Sequence, residues 1–304
     1  MRLGLGLLTL FLVSIVVFAA TQALPGDAAK AILGKDSADV ARYEALRAQL
    51  RLDRPVVEQY TSWLTGVVQG DLGHSLVGAE AEVTTLLRNR VVNSATLVFL
   101  AAIVSIPISI LIGALSAVWH DSKFDNVVNV SNLSLAALPE FVIGIVLVLV
   151  LATTVFKWLP SVSNIDSLTP LGSQMMLFVL PVATLVLAVI PYVSRMLRAS
   201  TIEVLESEYV MMARLKGLSE SRVLWHHALP NAIVPTIQVI AISIAWLAGG
   251  IITVEYLFGF PGIGTGLIDA VANRDMPVVQ ALVLLMAAVY VVLNLIADIL
   301  TILI

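Results

Sequence analysis

The sequence predicts an all-α, polytopic membrane protein of about six transmembrane helices, and three observations predict it. The 304 residues are 59% hydrophobic and only 12% charged, with mean hydropathy +0.97, whereas soluble domains carry roughly 25% charged residues. Crossing a bilayer takes about 20 mostly apolar residues, and six stretches satisfy this: 3–24, 91–119, 127–156, 175–194, 228–254 and 276–304. Basic residues concentrate in alternate connections. With the N-terminus inside, Arg2, Lys123, Arg195, Arg198, Arg214, Lys216 and Arg222 lie inside, while the short outer loops hold only Lys157 and Arg274. The positive-inside rule then places both termini in the cytoplasm.

The composition also excludes function classes. A net charge of -4 gives no reason to expect nucleic acid. With no cysteine, a disulfide framework, a thiolate metal site and a cysteine nucleophile are ruled out.

Taking the elements in order, the first apolar run ends in Thr21-Gln22-Ala23, which looks like a signal cleavage site. Its length exceeds a signal-peptide core and five further spans follow, so it is read as a retained helix. Residues 25–90 form an external amphipathic segment. After Asp36-Ser37, Val40, Tyr43, Leu46 and Leu50 recur at helical spacing, and Val56, Tyr60, Trp63, Leu64 and Val67 make a second stripe. Two short helices, lying on the membrane surface or packed together, are expected. Residues 91–304 form the five-helix core.

Glu140 falls near the middle of the third span, directly after Pro139. A charge at that depth costs on the order of 2.5–3.5 kcal/mol on insertion scales. It should therefore face a bundle interior or a cavity, either bonding a neighbouring helix or lining a translocation path. Asn294 and Asp298, four residues apart on the last span, suit helix packing.

Between the fourth and fifth spans lies a polar loop, about 199–230. Ile202, Leu205, Tyr209 and Met212 fall on one helical face. Glu208 comes early and Arg214 and Lys216 late, as a helix dipole favours. Gly217 supplies a left-handed stop, Ser219 and Glu220 a new start, and Pro230 the entry into the fifth span. The expected result is a rigid knob of helix, glycine turn and short helix with an apolar docking face.

Other motifs yield nothing catalytic. No G-x-x-x-x-G-K-[ST] phosphate loop occurs. "PGIGTG" (261–266) is expected to be a turn in the outer loop before the last span. "GHSL" (73–76) lacks the second glycine of a nucleophile elbow. Adjacent His226 and His227 point about 100° apart on a helix and cannot share one metal; His227 is assigned to capping or to a partner contact.

Within this loop, "ARLKGLSESRVLWHHALPNAIVP" resembles the cytoplasmic motif of membrane subunits of binding-protein-dependent ABC importers, in the dipeptide, oligopeptide and nickel permease branch, permease B type. "LPGDAAKAILG" (24–34), "LRLDRPVVEQYTSWLTGVVQGDLGHSL" (50–76), "LPEFVIG" (138–144), "KWLPSVS" (157–163) and "NRDMPVVQA" (273–281) resemble that branch in the same order and spacing. The chain departs from it at Met211, where the broader motif has its glutamate, and at Ala28, where a proline is usual. It also stops at Ile304 without the usual basic tail, as though truncated after the last helix.

The resemblance implies a multi-pass subunit of a bacterial or archaeal cytoplasmic (inner) membrane. Its implied partners are a second homologous permease, two cytoplasmic ATPase subunits, an external substrate-binding protein and the lipid bilayer. This chain would be non-catalytic and hold no cofactor, ATP being bound by the partner subunits. Glu208, Tyr209, Met212, Ala213, Arg214, Lys216, Gly217, His227 and Pro230 would form the ATPase-coupling loop. Pro139 and Glu140 would line the path. Peptides are the implied substrate, with nickel or another small solute as the alternative. A stand-alone secondary transporter would want more buried ionisable groups, and an intramembrane enzyme would want motifs that are missing here.

Overall fold

The computed structural model describes residues 2–23, 33, 40–49, 53–77, 81–166, 169 and 171–303. Most of the 24–34 motif, Ala28 included, lies outside them, as do Asp36, Ser37, Leu50, Gly78 and the side chain of Leu46. The described chain is helical almost throughout. Five helices are long and apolar enough to cross a membrane, and two bent helix pairs bring the candidates to as many as seven.

The chain divides into two compact units, Met1–Ser94 with Pro261–Val291, and Ala95–Phe260 with Val292–Ile304. The first contains α1 (Arg2–Ala23), α2 (Val40–Gln49) and α3 (Val56–Gln69). It also takes the start of α4 (Val83–Val118). The second amphipathic stripe packs on the first span: Tyr60 and Trp63 of α3 meet Phe18 at ring distances of 5.4 and 5.7 Å, and Tyr60 Oη shares a 2.8 Å hydrogen bond with Ser14. Helix α4 begins at Val83 rather than at 91. Hydropathy registers only its apolar part, whereas the polar residues Thr84, Thr85, Arg88, Asn89 and Arg90 are all compatible with helical hydrogen bonding. Its 36 residues span about 54 Å at 1.5 Å per residue, well beyond a hydrocarbon core of about 30 Å, so one end extends past it.

"PGIGTG" is mostly helix, not a turn. The turn ends at Gly262 and α11 (Ile263–Ala272) starts within the motif, because the unit supplies its cap: Ser94 Oγ accepts from Ile263 N at 2.9 Å and Asn93 donates to the Pro261 carbonyl at 2.9 Å. Arg90 donates to the Gly262 carbonyl, Thr265 Oγ1 and Asp269, each at 3.2 Å. A Cβ on Gly266 would stand 2.8 Å from Arg90 Cδ, so that glycine makes room for the arginine. Asp275, just before α12 (Met276–Leu303), accepts from Ser75 Oγ and, at 3.1 Å, from Leu76 N.

In the second unit the expected third span, 127–156, is not one continuous helix. It consists of α5 (Lys123–Ala137) and α6 (Glu140–Leu147), the latter continued by a wide π-turn over Val148–Thr153, with a 107° bend between the two arms. Pro139 is the cause. It lacks an N–H and excludes helical backbone from the residue before it, and Leu138 accordingly sits extended at φ -91, ψ 132. The two arms pack on α7 (Met175–Leu205), and α6 also on α10 (Leu229–Phe258). Glycines set the approach: a Cβ on Gly113 of α4 would lie 2.6 Å from the Ser194 carbonyl, and one on Gly144 of α6 2.5 Å from Leu257.

Candidate functional site

The segment between α7 and α10 has the turned form its residues predict, with corrections at Ser207 and at Pro230. Helix α7 stops at Leu205, and Ser207 is extended (φ -70, ψ 151), its hydroxyl turned back to the Val204 carbonyl. A new helix, α8 (Glu208–Leu215), starts after it. Ile202, Leu205, Tyr209 and Met212 therefore do not share one helical face, because the serine diverts the backbone into its own side-chain bond. Leu205 packs on the buried cluster of Val210, Ala213 and Val223, joined by Val204 and Leu218. Tyr209, Met212 and Leu215 point outward, 46%, 59% and 76% exposed, with Met211 beside them.

Gly217 ends α8 in the left-handed region at φ +79. Its N–H donates to the Arg214 carbonyl at 2.9 Å, and that of Leu218 to the Ala213 carbonyl at 3.3 Å. This pair of bonds is the Schellman pattern, and the accompanying apolar contact is made by Leu218 against Ala213. Glu208 and Arg214 complement the two ends of the helix dipole. Lys216 is the exposed cap residue, its N–H bonded to the Met212 carbonyl at 3.1 Å.

Arg214 also bridges the segment. It makes a two-pronged pair with Glu220 at 3.0 and 3.1 Å and donates to the Leu205 carbonyl at 3.4 Å. The pair is solvent-exposed and contributes at most about 1 kcal/mol; its effect is to tie the end of α7, helix α8 and the one-turn α9 (Glu220–Arg222) to one another.

No break separates the expected short helix from the fifth span ahead of Pro230. From α9 the chain passes through a π-turn, Val223–Ala228, straight into α10, with Leu229 N bonded to the Leu224 carbonyl. A proline can neither donate nor tolerate the carbonyl four residues back, and the widened turn just ahead of Pro230 accommodates it. His227 takes part through its carbonyl, which accepts from Tyr209 Oη at 3.3 Å and from Asn231 at 2.8 Å. Among the described residues no group of three His, Asp or Glu is arranged to hold a metal.

Residues far apart in sequence clamp α7, from which this segment emerges, to α4 and α5. Asp125, 1% exposed at the start of α5, accepts from Arg198 of α7 at 2.6 and 2.5 Å, from Asn129 at 2.9 Å and from Asp121 N at 3.0 Å, and also from Ser116 of α4. Asn132 donates to Ser194 at 3.1 Å. The α4–α5 turn and the 206–222 segment therefore share one end of this unit. Sequence reasoning missed Asp125 as a partner, since 73 residues separate it from Arg198 and no local pattern joins them.

Pro139 caps α6, and Glu140 is its first residue, half-buried and accepting from Thr253 Oγ1 of α10 at 3.0 Å. Glu140 thus sits at a helix N-terminus, where a carboxylate is favoured, and not in mid-helix as expected. Glu255, two residues beyond Thr253, is fully buried; its place at the edge of an apolar run was a signal that went unread.

Comparison with known proteins gives a consistent picture. Residues 109–304 match the family described as binding-protein-dependent transport system inner membrane component, and residues 1–106 its N-terminal membrane component. The glutathione transport system permease protein GsiC of Escherichia coli O6:H1 (strain CFT073) is 35% identical over 297 residues, covering 97% of this chain and 94% of the relative. The same protein of Pectobacterium atrosepticum is 35% identical, and that of Escherichia coli K12 34%, over the same spans.

Proposed function

We propose, for a chain that belongs to the inner-membrane components of binding-protein-dependent transport systems, that it forms half of a translocation path for short peptides. Membership makes it a non-catalytic permease subunit of an ABC importer. The substrate class rests on the relatives, named for glutathione, itself a tripeptide. In this reading a second homologous permease completes the path, an external binding protein delivers the substrate, and two cytoplasmic subunits bind and hydrolyse ATP.

Mechanical work enters at residues 206–222. The observation behind this assignment is the knob itself: a helix closed at its C-terminal end by the Gly217 turn, braced by Arg214, presenting Tyr209, Met211, Met212 and Leu215 outward. Exposed apolar side chains on so constrained a backbone suit docking into a groove, since little entropy is lost on binding. Its link to α7 is short and α7 is clamped to α4 and α5 through Asp125. Displacement of the knob by closing ATPases would then carry these helices together and turn the cavity between the two permeases from inward-open to outward-open. Glu140 and Pro139, at the sharp bend, are assigned to the wall of that cavity. With both termini cytoplasmic, the knob and the α4–α5 turn face the cytoplasm.

The test is purification of the chain from its native membrane, followed by reconstitution with its binding protein and uptake of labelled glutathione and of di- and tripeptides. ATPase subunits should co-purify, and uptake should require ATP. Uptake driven by an ion gradient without ATP would refute the assignment; uptake of metal ions but no peptide would refute the substrate class.

A further inference from the structure

Within the first unit, α1, α3, α4 and α12 enclose a groove of about 810 Å³. Its walls are mostly apolar, including Leu10 and Phe11 of α1, Leu64 of α3, and Leu285 and Ala288 of α12. Two of its three polar wall residues, Thr84 and Arg88, belong to the first two turns of α4. Ser14, the remaining polar wall residue, spends its hydroxyl on Tyr60 and the Phe11 carbonyl.

The groove is open along its side. Its wall residues Phe11, Val68 and Val92 are 48%, 81% and 54% exposed, and they continue into the exposed apolar face of α1 at Leu7, Leu8 and Leu12. In a membrane-spanning subunit that face meets acyl chains, so the groove is reached from the bilayer and not from water. An aqueous solute would find few hydrogen-bonding partners along such walls. A chain with an apolar tail and an anionic head would match both parts: the tail fits the apolar walls, and the exposed guanidinium of Arg88, on a stem long enough to reach the interface, pairs with phosphate.

We propose that this groove is a binding site for one membrane glycerophospholipid, with an acyl chain between α1, α4 and α12 and its phosphate on Arg88. On the topology proposed above, the lipid comes from the outer leaflet. The bound lipid would fill the space between the first span and α12, packing α1 in place.

The assembled transporter, reconstituted in nanodiscs of 3:1 phosphatidylethanolamine and phosphatidylglycerol, is tested with trace phosphatidylglycerol carrying a photoactivatable diazirine in mid-chain. Adducts should concentrate on peptides holding Phe11, Leu285 and Ala288, about tenfold over those holding Leu3 and Leu5 on the open face of α1. Ala288→Phe, which fills the groove, should abolish that excess and leave the background unchanged. Arg88→Gln, at an exposed position, should lower it about threefold even if the Phe variant fails to assemble. Groove labelling no greater than the background, labelling indifferent to Arg88→Gln, or cross-links from the groove to another protein subunit would each overturn the proposal.

Discussion

Replacing Gly217 tests whether the knob's shape matters, and the structure allows the cost to be worked out. Its φ is +79, and a Cβ built there meets nothing within 4 Å. Any penalty is therefore backbone strain alone. For an L-residue in the left-handed region that strain is roughly 1–2 kcal/mol, a factor of about 5–30 in the population of the native turn. A β-branched Gly217→Val lies at the upper end, whereas Gly217→Asn, tolerant of this conformation, should be nearly silent. If the turn opens, the Leu218-to-Ala213 bond is lost, Leu218 leaves the Val210 cluster, and the Arg214–Glu220 brace is displaced. The spans have no reason to change. The assay is ATPase activity of the reconstituted transporter with and without loaded binding protein. The Val variant should assemble at normal yield and lose most of the stimulation, while the Asn variant keeps it. Full stimulation and uptake in the Val variant would refute the reasoning, as would equal loss in both.

Tyr209→Asp with Met212→Asp places charge on the exposed face of α8 without touching Val210 or Ala213; the ATPase subunits should then be lost on purification, and their retention with normal stimulation would move the docking surface elsewhere. Sidedness can be read from single cysteines in this cysteine-free chain: an impermeant maleimide applied to intact cells should label positions 77 and 157 and spare 123 and 219, all four being exposed residues. Ser163 is unsuitable for that test because it is fully buried. Glu140→Gln keeps an acceptor for Thr253, so the complex should assemble at wild-type yield while uptake falls several-fold; a fall in folded yield instead would make the residue structural. Asp125→Asn strands Arg198 in a largely buried site, a change that costs about 3–5 kcal/mol when one partner of such a pair is removed. It should lower the aggregation temperature of the purified complex by several degrees, and an unchanged melting profile would show that the clamp is dispensable.

The chain's own chemistry determined its class. Scarce charge, six apolar runs and the skewed distribution of basic residues are properties of composition and order, and burial in lipid follows from them without any tertiary information. The same holds for part of the knob. Gly217 and Ser219 act through local backbone preferences, so the left-handed stop and the following start were legible, whereas the break at Ser207 that begins the helix was not. Pro139 was legible too, but only as a loosening. The direction of the arms, 107° apart, was set by packing of both on α7 and of α6 on α10, with Gly144 admitting Leu257. What tertiary structure alone decided is which distant residues meet. Arg90 holds the start of α11 across 172 residues, and Arg198 closes on Asp125 across 73. Hydropathy marks such residues only as costly in a membrane. Their partners are chosen by helix packing, which carries two charges together when burying either alone would be unfavourable.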